Sequence, residues 1–113
     1  MDDVTTLTDL MNIADRFVQE RGWADYHTPK NLALSVVIEA AELLEIFQWK
    51  TPEESYGLKA EPVLKEHIGE EMADVLAYLL NLAQSLDIDL SDAFVEKMKK
   101  NAVKYPKDRT HVF

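Results

Sequence analysis

Glu39 and Glu42 stand three residues apart, and so do Glu71 and Asp74. At about 100° per residue on a helix, positions three apart lie one turn from each other on a single face. Both pairs have mostly apolar company. Ile38, Leu43, Ile46 and Trp49 share the first arc; His67, Val75, Tyr78 and Leu82 share the second. Acids at this spacing also occur on the wet sides of ordinary amphipathic helices. Two such pairs with bulky apolar neighbours favour a different reading. Burying four carboxylates together is very unfavourable unless a cation compensates. A hard divalent ion with oxygen ligands does this, and Mg²⁺ suits an Asp/Glu set that leaves room for waters and phosphates. The chain has no cysteine, which excludes thiolate metal sites and disulfides. A di-iron bundle uses Glu-x-x-His on two helices. The residues three before His27, His67 and His111 are Ala24, Leu64 and Asp108, so di-iron chemistry is disfavoured.

Positioning these acids requires helices, and the hydrophobic period supplies them. Leu7, Leu10, Met11, Ala14, Phe17 and Val18 predict a first helix over Leu7 to Glu20, with Thr6 and Asp9 as its capping pair. "RGWADYH" breaks the pattern at Gly22 and reads as a loop. Thr28 as N-cap and Pro29 at the first helical position open a second helix, which runs to about Trp49. "TPEE" repeats that start signal at Thr51 to Glu54 and predicts a short extra turn. Gly57 to Pro62 reads as the flexible connection. A third helix over about Val63 to Leu86 and a fourth over about Leu90 to Tyr105, stopped by Pro106, complete an all-α set. The expected architecture is a four-helix bundle, one domain across residues 1–113. The second helix is apolar nearly all round, which belongs in an interior or at a subunit interface.

The net charge of −9 argues against a nucleic-acid polymer as partner. Charge is unevenly spread, however: Lys97, Lys99, Lys100, Lys104, Lys107 and Arg109 cluster near the end, with Asp108 the one acid among them. No apolar run approaches the ~18 residues of a membrane span. The opening "MDDVTTLTDLM" is acidic where a secretory leader would be basic, so the expected location is the cytoplasm.

Four blocks in order, "RGWADYHTPKNLAL", "EAAELLEIFQW", "EEMADVLAYL" and "KMKKNAVKYP", resemble the MazG-like all-α nucleoside triphosphate pyrophosphohydrolases, particularly the small dCTP pyrophosphatase-type members. The likeness spans nearly the whole chain. It implies that Glu39, Glu42, Glu71 and Asp74 are catalytic and coordinate Mg²⁺. It implies release of a nucleoside monophosphate and pyrophosphate from a triphosphate such as dCTP or a modified dCTP. In the family pattern the last block contributes phosphate contacts, matching Lys97, Asn101 and Lys104, with Tyr105 a further candidate; the first three fall at i, i+4 and i+7 of one face. The segment from Tyr26 to Asn31 aligns with the family's base-recognition stretch and makes His27 and Lys30 candidate nucleotide contacts. A lysine at position 30 loses the planar fork of the arginine found in close members. Trp49, and Trp23 with it, offers a stacking face, and Tyr78 can bond sugar or base or orient a carboxylate. Glu45 or Glu70 are open choices for orienting the attacking water. The resemblance also implies a homo-oligomer, a dimer or tetramer with shared sites. Two other functions stay open: a non-catalytic helical interaction module, and hydrolysis of a different pyrophosphate such as phosphoribosyl-ATP. The "FQW" and "HTP" blocks favour the dCTP type over the latter.

Overall fold

The structure, a computed structural model, describes residues 1–107; Arg109 and His111 lie outside them. Helix α1 spans Leu7–Glu20, α2 Pro29–Phe47, α3 Pro52–Gly57, α4 Pro62–Ser85 and α5 Leu90–Lys104, with 3-10 turns at Ala24–Tyr26 and Leu58–Ala60. No strand occurs among the described residues. The chain is all-α, as the hydrophobic period predicts.

Each start follows from local chemistry. Asp9 N–H donates to the Thr6 hydroxyl at 3.1 Å while Thr6 N–H donates to Asp9 Oδ2 at 3.0 Å, a reciprocal cap on α1. The same box forms between Thr51 and Glu54 at the start of α3. Thr28 caps α2 through Asn31 N–H at 3.2 Å, and Asp89 caps α5 through Asp92 N–H at 2.9 Å. Helix α1 ends in a Schellman turn: Trp23 N–H reaches Val18 O and Gly22 N–H reaches Gln19 O, both at 3.1 Å. Gly22 takes φ 66°, which this turn requires and glycine adopts without a Cβ clash. A second such turn ends α4, where Ile88 N–H donates to Ala83 O at 2.8 Å and Asp87 supplies the left-handed residue at φ 54°.

The main seams run between α2 and α4 and between α1 and α4. Val18, Leu32, Leu58, Leu80 and Ala83 form the buried core. Leu58 is only 2% exposed, so the segment from Gly57 to Pro62 is a pinned 3-10 turn, not the flexible connection its glycine and proline suggest. Helix α5 shares no main seam with another element. Its Phe94, Val95 and Met98 stay exposed, as do Leu34, Val37, Ile38 and Leu44 of α2. The radius of gyration is 16.8 Å, against about 13 Å for a compact domain of this length. The accessible surface is 9251 Å², well above the roughly 6300 Å² of a folded monomer of this mass.

Candidate metal centre and adjoining cavities

The α2–α4 seam places the acid pairs against each other. One carboxylate oxygen from each of Glu39, Glu42 and Glu71 lies within 4.8 Å of the other two. Glu39 and Glu71 are half-buried and Glu42 is exposed. The Oε2 atoms of Glu39 and Glu71 are buried with no hydrogen-bond partner, an arrangement that is unfavourable for a neutral carboxyl and more so for a charged one. Burial is the first cause that pushes the Glu39 carboxyl up to about 7; hydrogen bonding to Glu42 and the charges of Glu42, Asp74 and Glu71 add to it. Glu71 is also raised, by burial and then by Glu42, with His67 opposing. Asp74, one turn beyond Glu71, is exposed and outside the tight triad, yet its charge is felt by Glu39, Glu71 and Tyr78. Clustered carboxylates with orphaned oxygens fit a hard divalent ion such as Mg²⁺ and offer nothing to a soft metal.

Tyr78 and His27 adjoin this centre. The Tyr78 phenol is raised by burial and then by Glu39, Asp74 and Glu42, so it stays a protonated donor. Its ring centroid is 6.1 Å from that of His27, which is 6.3 Å from Trp23, which meets Phe17 edge-on at 5.5 Å. These four rings, with Asp74, line a cavity of 430 Å³ between α1 and α4. Asn31 Nδ2 donates to Tyr26 O at 3.0 Å and ties the loop carrying His27 to the start of α2.

Other candidates stand apart within one chain. Lys30 is exposed on the first turn of α2, and Trp49 is 89% exposed just beyond its end; neither lines a cavity described here. Lys97 and Lys104 are exposed and Asn101 is half-buried, all on α5. Lys104 Nζ sits 5.3 Å from the Tyr105 ring centroid. Glu45 is exposed, and Glu70 lies 3.8 Å from His67 Nδ1. Sequence reading missed Phe17 and Asn81 as cavity residues. Asn81 follows Tyr78 by three and Asp74 by seven on one α4 face, so its spacing was a usable signal.

A model of the MazG-like family matches residues 34–112. The dCTP pyrophosphatase 1 of Rattus norvegicus is 40% identical over 101 residues, covering 89% of this chain and 59% of that protein. The Homo sapiens protein of the same name is 41% identical over 101 residues with the same coverage. The chain thus spans about three-fifths of the length of these relatives. A crystal structure of a pyrophosphatase from Archaeoglobus fulgidus superposes with a TM-score of 0.80 at 48% identity, covering 88% of this chain and 92% of that one.

Proposed function

Because this chain belongs to the MazG-like family, we propose that it is a Mg²⁺-dependent nucleoside triphosphate pyrophosphohydrolase, acting on dCTP or a modified dCTP to release the monophosphate and pyrophosphate. The observation that carries the reading is the convergence of Glu39, Glu42 and Glu71, with two of their oxygens buried and unpartnered. The names of the similar proteins, dCTP pyrophosphatase and pyrophosphatase, support the reaction and the base.

Glu39, Glu42, Glu71 and Asp74 would hold the ion. When bound, Mg²⁺ supplies the positive charge that lets an acidic protein accept a triphosphate and that offsets charge developing on the leaving pyrophosphate. Tyr78, held protonated beside the acids, donates a hydrogen bond to sugar or base. His27 and the neighbouring rings form the wall along which sugar and base lie. Lys97, Asn101 and Lys104 are assigned to the β- and γ-phosphates, for which lysine is a mobile point charge.

Those α5 residues reach the acids from a second copy of the chain. The excess surface, the large radius of gyration and the exposed apolar residues of α2 and α5 all support a homo-oligomer, a dimer or tetramer. Lys30 and Trp49 are assigned to the nucleotide in that assembly. The activity is placed in the cytoplasm, in a single domain, as house-cleaning of the nucleotide pool.

The test is incubation of the purified chain with dCTP and Mg²⁺, with separate assays of pyrophosphate and phosphate. Equal amounts of dCMP and pyrophosphate are expected, silenced by EDTA and restored by Mg²⁺. Glu42→Gln or Asp74→Asn should lower kcat by about 10³-fold or more while helical circular dichroism persists. Release of phosphate instead, or near-normal turnover in both variants, overturns the assignment.

A further inference from the structure

Beyond His27, on the side away from the acids, lies a second cavity of 220 Å³, lined on its polar side by Asp15, Gln19, His27, Asn81, Gln84 and Ser85. Val18, His27 and Asn81 also line the larger cavity, so the two meet at these residues. The smaller space falls below the roughly 300 Å³ at which pockets accept a whole drug-sized ligand, so it suits one end of a molecule lying in both. Its polar groups are poorly satisfied. His27 Nδ1 is buried without a partner. The side-chain amides of Asn81 and Gln84 make no hydrogen bond among the described residues, and the Gln19–Asp15 contact is long at 3.4 Å.

Distance along α4 fits a nucleotide. Asn81 follows Asp74 by seven residues, about 10.5 Å of helix rise, comparable to the reach from an α-phosphate to the far edge of a pyrimidine. Between these ends lie Tyr78 and the ring-lined cavity, which suit sugar and base faces. The donor pattern then selects among bases. Asp15 contributes a carboxylate, an acceptor for an exocyclic amine and a poor neighbour for a carbonyl oxygen. Asn81 and Gln84 contribute amide donors for ring nitrogen and carbonyl acceptors. Cytosine presents an amine where uracil and thymine present a carbonyl.

We propose that this polar cavity is a base-edge subsite that takes the hydrogen-bonding edge of an amino-substituted pyrimidine and rejects its keto counterpart, with Asp15 and Asn81 as the specificity-determining residues. The assignment rests on the nucleotide reading above. The experiment measures kcat/KM for dCTP and dUTP with Mg²⁺, and in parallel titrates dCMP and dUMP into the EDTA-treated protein by NMR. The variants are Asp15→Asn, nearly isosteric and able to donate to a carbonyl, and Asn81→Ala. Wild type should prefer the cytosine compounds in both assays. Asp15→Asn should shrink the dCTP-to-dUTP ratio by about tenfold or more, and Asn81→Ala should raise KM with little change in kcat. Ratios unchanged within about twofold in both variants, with turnover intact, overturn the subsite and leave the activity standing. A wild type that binds dCMP selectively but cleaves no triphosphate keeps the subsite and overturns the activity. No cytosine preference in either assay overturns the subsite.

Discussion

The Glu39 carboxyl is held at about 7 in the folded chain against an ordinary 4.5, by burial first and then by its acidic neighbours. Between those values the folded protein keeps a proton that the unfolded chain has released. Stability therefore falls as pH rises through that window: the contribution is intact below about 4.5 and lost by about 7. In EDTA the melting temperature should drop between pH 5 and pH 7.5, and Glu39→Gln should flatten that drop. Adding Mg²⁺ at pH 7.5 should raise the melting temperature of wild type more than that of the variant, since a ligand that binds only the native state stabilises it. A wild-type profile as flat as the variant's would detach Glu39 from the cluster. The acid pairs were legible as residues because three-apart spacing marks a shared face. That Asp74 stands outside the tight triad was not, because it depends on how α2 and α4 are rotated against each other.

Element boundaries were readable to within about two residues, because Thr6, Thr28, Thr51 and Pro29 carry their own capping chemistry. Punctuation residues do not reveal burial, however, and Leu58 turned an expected flexible connection into an anchored turn. The two Schellman turns differ instructively: Gly22 fills the left-handed position after α1, whereas Asp87 fills it after α4. A non-glycine residue there costs roughly 1 kcal/mol. Asp87→Gly should accordingly raise the melting temperature by a few degrees, and Gly22→Ala should lower it similarly. Thermal melts followed by circular dichroism check both. An unchanged Asp87→Gly melt would mean that the aspartate side chain compensates for its own strain.

At the scale of the molecule, α5 and the outer face of α2 leave apolar residues that a lone chain does not cover. Light scattering after gel filtration should return a multiple of 12.9 kDa. If α5 serves a neighbour's acids, Lys97→Ala and Glu42→Gln should each be poorly active alone, and mixing them should restore activity. In a two-fold dimer with random exchange, the recovered fraction is up to about a quarter of wild type. Independent sites within each chain would show no recovery. Finally, the two tryptophans differ in setting within the single chain: Trp23, partly exposed, is seated edge-on against Phe17 beside His27, and Trp49 stands almost fully in water. Their emission should differ accordingly, red-shifted for the wet indole and quenched for the one beside an imidazole. Trp49→Phe, which keeps an aromatic face at position 49, would leave Trp23 as the single tryptophan, at the cavity wall, an optical gauge of occupancy that needs no label.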